Sequence, residues 1–312
     1  MSAGPRVSVV VVTHNNSLLI GDCLRAISAS LPDGGGEVIV VDNASGDDTI
    51  AAIERTGLAV EVVALQHNVG FAGGVNRGRE RAQGACVALV NSDAFPDPGC
   101  IARLLERLER DPRAGIVGAG LRYPSGELQP SAGTFPSLLG GLWVALFLHR
   151  APGLSRIGIG YLAVPGLYRR ARRVDWVSGA VCAARADLPA LPETTFMYGE
   201  DVRWAAACRD AGLEVWVEPA ATAVHIGRAS VDASQDPGFA QRQRVAFELA
   251  WFAPRGAAAV LAARGVLVLH ALARIVVFGA LDAARGRGGG RVREYGALAR
   301  AAVTMSIPAA RT

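Results

Sequence analysis

VALVNSDA, residues 87–94, is the stretch that decides the fold. Its continuous apolar run without alternation is typical of a strand covered on both faces, as in a parallel sheet. In open α/β sheets, ligands lie just beyond the carboxyl ends of the strands, which is where Asp93 falls. An aspartate there can bind a divalent cation and so indicates a phosphate-bearing substrate, although aspartate is also a common turn or cap residue.

Three earlier strands are predicted to end in the same way. Apolar runs at residues 7–12, 38–41 and 60–65 alternate with helical patterns, which predicts a parallel sheet with right-handed crossovers. The polar residues after the four strands are His14 and Asn15, Asp42 and Asn43, Asn68, and Asn91 and Asp93. Four such ends at one edge of a sheet predict a pocket for a ligand with several polar groups.

The loop after the third strand carries Gly70, Gly73 and Gly74 in front of a predicted helix. Backbone N–H groups at such a helix start can approach a phosphate. The glycines follow neither the GxGxxG spacing of dinucleotide-binding folds nor a Walker loop ending in GK[ST], which argues against hydride transfer and NTP hydrolysis. A nucleotidyltransferase would be expected to carry a signature phosphate loop near the N-terminus, and the sequence has none.

Length and composition predict one large α/β domain with additions. The chain has 312 residues, of which 51% are hydrophobic, and its net charge is only +4. Its five cysteines are scattered and form no CxxC pair, which favours reduced thiols in the cytosol over a disulfide framework or a zinc site. The six-residue run at 7–12 is too short for the core of a signal peptide.

The C-terminal part of the chain is apolar and helical in pattern from residue 246 to 284. Pro254, Gly265, His270 and Arg274 are among the residues that interrupt it, so no uninterrupted run reaches the roughly 20 residues of a membrane span. Interspersed arginines favour helices lying on an anionic membrane surface, with packing on the catalytic domain or on a partner as the alternative. No elements are assigned between residues 122 and 173.

Seven stretches of the sequence, in order, resemble glycosyltransferase family 2, and within it the rhamnosyltransferase-like branch. They are VVVVTHNN (9–16), VIVVDNASGDDT (38–49), NVGFAGGVNRG (68–78), VALVNSDA (87–94), DWVSGA (175–180), FMYGEDVRW (196–204) and AVHIG (223–227). The resemblance covers about residues 5–230. It implies a GT-A fold, a nucleotide-sugar donor, a divalent cation (Mg²⁺ or Mn²⁺) and inversion at the anomeric carbon.

The resemblance also implies which residues bind the donor. Asp42 matches the acid that holds the nucleobase, with an ordinary turn aspartate as the alternative. The full set implied for nucleotide-sugar binding is Thr13, His14, Asn15, Asp42, Asn68, Gly70, Gly73, Asn76, Asn91 and Ser92.

For the metal, Asp93 matches the second acid of the family's D-x-D element and His225 matches the histidine that completes the site. The first acid of the element is replaced here by Asn91, which leaves one charge fewer for the ion. A hard cation that keeps its waters and is held partly by the pyrophosphate can still bind to so few protein ligands. The alternative for His225 is a buried histidine that caps a strand.

The catalytic base is implied at Asp201, with Glu200 as its neighbour, because the incoming hydroxyl must lose a proton. A carboxylate at a helix start is favoured by the helix dipole, and a plain N-terminal helix acid is the alternative. Trp176, Ser178 and Gly179 match the segment beneath the donor sugar and acceptor, and core packing is the alternative for the tryptophan.

Together these patterns predict an α/β, GT-A catalytic domain over residues 1–240, an apolar, membrane-associated helical extension over 241–285 and a flexible tail over 286–312. The predicted function is inverting transfer of a sugar, rhamnose from dTDP-rhamnose by branch resemblance, to a saccharide or polyprenyl-linked saccharide in cell-envelope glycan synthesis. The enzyme would be cytoplasmic and peripheral at the inner face of the membrane, without a nucleic-acid partner. The alternatives are a UDP-hexose or UDP-galactofuranose donor, or a non-catalytic nucleotide-sugar-binding protein.

Overall fold

The computed structural model describes residues 5–32, 35–150, 168–227, 238–285 and 290–307. The chain divides into two compact units. The first unit comprises Met1–Gly133, Tyr161–Pro192 and Glu200–Ala233, and the second comprises Thr134–Gly160, Glu193–Gly199 and Ser234–Thr312. The predicted boundaries after residues 240 and 285 therefore do not describe this division, because the chain passes from one unit to the other several times.

The elements follow one another in chain order as strands and helices. They are β1 (Val7–Thr13), α1 (Ile20–Ser30), β2 (Glu37–Asp42), α2 (Thr49–Glu54), β3 (Glu61–Ala64), α3 (Gly70–Arg79), β4 (Cys86–Asn91), β5 (Ala94–Pro96), α4 (Cys100–Arg110), β6 (Ala114–Arg122), β7 (Leu128–Gln129), β8 (Ala132–Gly133), α5 (Leu138–Ala145), β9 (Arg172–Val174), β10 (Trp176–Val177), β11 (Val181–Arg185), α6 (Glu200–Asp210), β12 (Glu214–His225), α7 (Phe239–Phe252), α8 (Ala257–Ala284) and α9 (Gly290–Thr304). Short 3₁₀ helices lie at Leu148–Arg150 and Ala253–Arg255.

The first unit is built on a mixed sheet with the strand order β3-β2-β1-β4-β11-β6-β12-β5. Strands β1, β2, β3 and β4 pair in parallel, as the sequence predicted, and β6 pairs in parallel with β12. The antiparallel strand β11 lies between β4 and β6. Ile101, Leu104 and Leu105 of α4 are fully buried against this sheet, and each such side chain contributes about 1.5–3 kcal/mol.

In the second unit, α8 is one continuous helix of 28 residues, although the sequence indicated an interrupted segment. His270 and Arg274 lie within it as buried residues of its inner side, and neither residue type breaks a helix. The Arg274 guanidinium donates to the Val144 carbonyl at 3.0 Å and lies 4.5 Å from the ring centroid of Phe147. Gly265 is on the exposed side, where nothing obstructs the helix.

A helix, α9, occupies Gly290–Thr304 within the segment 286–312 for which the sequence analysis predicted a flexible tail. Its apolar side packs inward, with Leu298 and Ala302 fully buried. Arg264 of α8 donates to the Ala302 carbonyl at 2.5 Å and to the Met305 carbonyl at 2.6 Å, so it caps the C-terminal end of α9.

A glycine in the second unit fixes the segment that leads into α6. Gly199 has φ +88°, and a Cβ built on it would lie 2.0 Å from Cδ2 of Phe247 in α7. Only glycine therefore satisfies both the backbone conformation and the close approach of the phenyl ring.

Gly199→Ala is expected to lower the free energy of unfolding by about 2–5 kcal/mol, since backbone strain and overpacking add. Urea denaturation followed by tryptophan fluorescence measures it. Gly256→Ala is the matched control in the same unit, because Gly256 has φ +92° but its Cβ would meet nothing within 4 Å. Equal losses in the two variants would show that the contact with Phe247 does not matter.

Candidate active site

The carboxyl ends of the parallel strands meet at one place in the first unit. Thr13 at the end of β1 pairs with Asp42 at the end of β2, and Val12 pairs with Asn91 at the end of β4. The Asn91 N–H donates to the Ala180 carbonyl at 2.8 Å, which brings the start of β11 to the same edge. The structure thus brings together the strand ends that the sequence predicted to converge.

The loops after β2 and β3 are joined by Asn43. Its Nδ2 donates to the Gly70 carbonyl at 3.0 Å, and its Oδ1 accepts from the Val69 N–H at 2.9 Å. The Asn68 side chain accepts from the Gly70 N–H at 2.9 Å, which fixes the turn in front of α3. Asn68 and Gly70 therefore shape this loop through contacts within the protein.

The loop after β1 is held against the loop after β2. The Asn15 side-chain carbonyl accepts from the Gly46 N–H at 2.7 Å, and the Asn15 N–H donates to the Ser45 hydroxyl at 2.9 Å. His14 Nδ1 lies 3.0 Å from the Asn43 carbonyl. These contacts hold the two loops together at the carboxyl ends of β1 and β2.

Four buried side-chain oxygens at this edge have no hydrogen-bond partner among the described residues. They are Thr13 Oγ1, Asp42 Oδ1, Asn91 Oδ1 and Glu200 Oε2. Asp42 is only 2% exposed, and its other oxygen accepts from the Ser45 N–H at 3.2 Å. Because buried polar atoms are nearly always paired in folded proteins, this cluster indicates a site that takes a polar ligand.

Asp93 and His225 form the pair that could hold a cation. His225 Nε2 lies 3.3 Å from Asp93 Oδ1 and 3.5 Å from Asn91 Nδ2, and the side chains of Asp93 and His225 are each less than 15% exposed. No group of three or more histidine, cysteine or acidic side chains is arranged to hold a metal within the described ranges. The donor set therefore fits a hard cation that takes its remaining ligands from a diphosphate and water, and does not fit a cage made by the protein alone.

Glu200 and Asp201 open α6, and burial raises the pKa of both carboxyl groups. Loss of solvation, followed by the charge of Asp201, raises the pKa of Glu200 to about 8. Loss of solvation raises the pKa of Asp201 to about 6, against backbone N–H donors from Val202 and Gly179 that favour the ionised form. At neutral pH the pair thus holds a protonated Glu200 beside an ionised Asp201, the form that a general base requires.

The segment predicted beneath the donor sugar and acceptor lies beside this acid pair. A Cβ built on Gly179 would lie 3.9 Å from Cβ of Asp201, and the Ser178 hydroxyl accepts from the Ala180 N–H at 3.2 Å. Trp176 is only 5% exposed, which agrees with the alternative of core packing.

Asn76 in α3 is bonded to the backbone of Leu191. Its Nδ2 donates to the Leu191 carbonyl and its Oδ1 accepts from the Leu191 N–H, both at 2.9 Å. These contacts brace α3 against the loop at Leu191, and the place of Asn76 beneath the ribose stays a prediction. Gly73 is buried within α3.

Two residues that the predicted site left out hold its members in place. Asn16 Nδ2 donates to both the carbonyl and the hydroxyl of Ser92 at 2.9 Å, and Gln129 Oε1 lies 2.9 Å from Nδ1 of His225. Asn16 follows a predicted strand end, so its position was a usable signal. Gln129 lies in the segment to which no elements were assigned, and nothing local to it indicated a role.

The raised acid pKa values predict that stability falls as pH rises from about 5 to 8. In that window the folded protein keeps a proton on Glu200, whereas an unfolded glutamate has released it near pH 4.5. Urea midpoints measured across this range should therefore decrease in the wild type and change less in Glu200→Gln. Glu54→Gln, at an exposed glutamate of α2, is the control and should keep the wild-type slope. An unchanged slope in Glu200→Gln would contradict the protonated state.

Comparison with known proteins agrees with this geometry. The family profile described as Glycosyl transferase family 2 matches residues 8–158. The chain is 32% identical over 207 residues to the N-acetylglucosaminyl-diphospho-decaprenol L-rhamnosyltransferase of Mycobacterium tuberculosis, across 60% of this chain and 66% of the relative. The dodecaprenyl-phosphate galacturonate synthase of Rhizobium johnstonii is 30% identical over 118 residues, across 36% of this chain and 35% of that protein. The match thus spans just under two thirds of the first relative's length and about a third of the second's.

Among solved structures, the mannosyltransferase PcManGT from Pyrobaculum calidifontis, in complex with GDP-Man and Mn²⁺, shares the fold. Its TM-score is 0.60 at 19% identity, covering 97% of this chain and 87% of that one. At this identity the likeness concerns the fold, which is the mostly parallel α/β arrangement that the sequence predicted. The profile match over residues 8–158 and the rhamnosyltransferase relative support a glycosyltransferase of family 2, and the shared fold agrees with it.

Proposed function

We propose that this protein is an inverting glycosyltransferase that moves a sugar from a nucleotide-sugar donor to a saccharide or polyprenyl-linked saccharide in cell-envelope glycan synthesis. The observation that carries the proposal is the cluster of unpartnered buried oxygens at the strand ends, beside the acid pair of α6. Such a cluster suits a ligand with many polar groups, and the acid pair supplies the group that must accept a proton.

In this proposal the donor lies across the strand ends. The free oxygens of Asp42 and Thr13 receive the nucleobase, because both are buried at the adjoining ends of β1 and β2. The loop from Asn68 to Gly70 places the N-terminus of α3 near the pyrophosphate, where a helix dipole favours negative charge.

Asp93 and His225 would hold a divalent cation, Mg²⁺ or Mn²⁺, together with oxygens of the donor diphosphate. Bound there, the cation would neutralise charge that develops on the leaving diphosphate. The Mn²⁺ in the complex of the mannosyltransferase with the same fold supports this reading.

Asp201 acts as the general base. Its carboxylate takes the proton from the acceptor hydroxyl as that oxygen bonds to the anomeric carbon and the bond to the diphosphate oxygen breaks. Attack from the side opposite the leaving group inverts the configuration. The Gly179 and Val202 N–H groups hold the Asp201 carboxylate in place through this step.

The donor we favour is dTDP-rhamnose, because the most extensive match among the relatives named above is an L-rhamnosyltransferase with a diphospho-decaprenol acceptor. Isothermal titration with dTDP and with UDP, each with and without Mg²⁺, tests the nucleotide. Turnover of dTDP-rhamnose with a short-chain polyprenyl diphospho-N-acetylglucosamine tests the transfer. Preference for dTDP together with transfer supports the proposal, whereas preference for UDP would replace rhamnose by another sugar.

The second candidate is a non-catalytic nucleotide-sugar-binding protein, which the change to Asn91 in the D-x-D element favours. It predicts nucleotide binding without transfer to any acceptor. The acid pair in α6 argues against it, since binding alone requires no base.

We also propose that the protein lies on the inner face of the membrane. By its length and composition, α8 could cross a membrane. In its most apolar stretch of 18 residues, 33% of the residues are buried. One side of α8 exposes Leu261, Leu272 and Val276, which are 71%, 52% and 70% accessible. An apolar face of this kind suits a helix lying at the lipid surface.

Leu272→Asp combined with Val276→Asp is expected to weaken binding to anionic vesicles at least about tenfold, because two apolar side chains no longer enter the lipid. Co-sedimentation with phosphatidylglycerol-containing liposomes measures it. Leu18→Asp, at a leucine that is 90% exposed near the start of α1, is the control and should bind as the wild type does. Undiminished binding of the double variant would remove α8 from the membrane contact.

A further inference from the structure

Gln129 is a buried polar residue whose side chain reaches the candidate metal pair from a strand of two residues. It is 8% exposed and pairs with Leu121 across β6 and β7. Its Oε1 lies 2.9 Å from Nδ1 of His225, which is the shorter of the two side-chain contacts made by that ring to uncharged partners.

This contact favours one of the two ring nitrogens of His225 as the site of the proton. With the Gln129 amide oxygen toward the ring, Nδ1 donates to it, because a carbonyl oxygen only accepts, and a neutral ring then has its lone pair at Nε2. Nε2 faces Asp93 Oδ1 at 3.3 Å and Asn91 Nδ2 at 3.5 Å. A lone pair and a carboxylate oxygen that face each other at this distance are suited to sharing a cation.

The backbone next to His225 leaves room for the arrangement. Gly227 has φ +67°, and a Cβ built there would lie 3.2 Å from Gln129 Nε2 and 3.7 Å from Cε1 of His225. The glycine thus accommodates the turn and lets the amide lie against the ring.

We propose that Gln129 is a positioning residue that fixes His225 in the Nδ1–H form, so that Nε2 joins Asp93 in binding the cation that arrives with the donor diphosphate. The inference rests on the proposed function. Histidines that bind metals commonly donate their second N–H to a carboxylate or carbonyl, which orients the ring and makes it a better ligand. An amide in this place adds no negative charge, which makes cation binding depend on the diphosphate.

The first test is made on the metal-free protein and does not depend on catalysis. ¹⁵N-histidine NMR distinguishes the two tautomers by the shifts of the protonated and unprotonated ring nitrogens, and His225→Asn assigns the His225 signals among the five histidines. We expect the Nδ1–H form in the wild type and an increased share of the Nε2–H form in Gln129→Met. Finding the Nε2–H form in the wild type would overturn the inference.

The second test measures Mn²⁺ binding by electron paramagnetic resonance, with and without dTDP or UDP. Gln129→Met should weaken nucleotide-dependent Mn²⁺ binding about 10- to 100-fold. Gln129→Glu should keep nucleotide-dependent Mn²⁺ binding at the wild-type level and should raise the affinity for Mn²⁺ in the absence of nucleotide. Leu128→Ala, at the neighbouring residue of β7, is the control for local loss of packing and should leave Mn²⁺ binding within about twofold, since successive side chains of a strand point to opposite faces of the sheet.

The outcomes separate this inference from the proposed function. If the wild type binds neither nucleotide with Mn²⁺, the metal-dependent function fails, while the tautomer still decides whether Gln129 fixes the ring. If Mn²⁺ binds with nucleotide and Gln129→Met binds it equally well, the proposed function stands and the positioning role is refuted. If Gln129→Met does not fold, the positioning role is tested by the tautomer of His225 in the wild type and by the Mn²⁺ affinity of Gln129→Glu.

Discussion

Asp201→Asn is expected to lower kcat about 10²- to 10⁴-fold while the dissociation constant of the donor nucleotide stays within about twofold. The asparagine keeps the shape of the side chain and can still accept from the Gly179 and Val202 N–H groups, but it cannot take the proton of the acceptor hydroxyl. Titration calorimetry for the nucleotide, combined with a turnover assay, separates the two effects. Turnover at the wild-type rate would remove Asp201 from the role of base.

The pH profile gives an independent check on the same residue. Because burial raises the pKa of Asp201 to about 6, the carboxyl group is protonated below that pH and the rate should fall as pH decreases through it. Glu200→Gln is the matched control, since it removes the neighbouring acid without removing the base. We expect it to retain most of the turnover and to leave the acidic limb in place, because a Glu200 that is already protonated adds no negative charge beside Asp201 at that pH.

Asp93→Asn is expected to lower transfer at least about 100-fold at physiological Mg²⁺, since a buried ligand charge is replaced by a neutral amide of nearly the same shape. The loss should be accompanied by a weaker, less Mg²⁺-dependent affinity for the donor nucleotide, which calorimetry measures. Full activity in this variant would mean that no cation is held at Asp93.

Asn91→Asp is the reciprocal change for this second prediction. It restores the first acid of the D-x-D element at a side chain whose Oδ1 is buried and has no partner among the described residues. We expect it to raise the affinity for Mg²⁺ in the absence of nucleotide. If Asn91→Asp left that affinity unchanged, the substituted position would not face the ion.

The fold of the first unit could be predicted because its signals are local. β1 and β4 are continuous apolar runs, and the inward residues of α4 recur at helical spacing, so periodicity alone indicated their type and order. The convergence of the strand ends then followed from the geometry of parallel sheets. The antiparallel insertion of β11 between β4 and β6 was not predicted, because strand order depends on long-range pairing.

The second unit resisted prediction for a physical reason. Arg274 in an apolar run looks like an interruption, yet its charge is buried against the Val144 carbonyl and the ring of Phe147, contacts that only the folded protein supplies. Gln129, in the first unit, is a similar case, since the contact of its side chain with His225 depends on the pairing of β7 with β6. The roles of Arg274 and Gln129 thus depend on tertiary contacts, which a pattern local to either residue does not reveal.

The short segment Glu193–Gly199 has a practical consequence for anyone who wishes to build hybrids of this protein with its relatives. A gene fragment that stops near residue 240 would omit Phe247, the ring against which Gly199 packs, and would release the peptide that runs directly into Glu200. In an end-to-end fusion of one parent's sheet with another parent's helices, Gly199 would come from one parent and Phe247 from the other. Chimeras are therefore expected to fold only when Thr134–Gly160, Glu193–Gly199 and Ser234–Thr312 are inherited together from one parent.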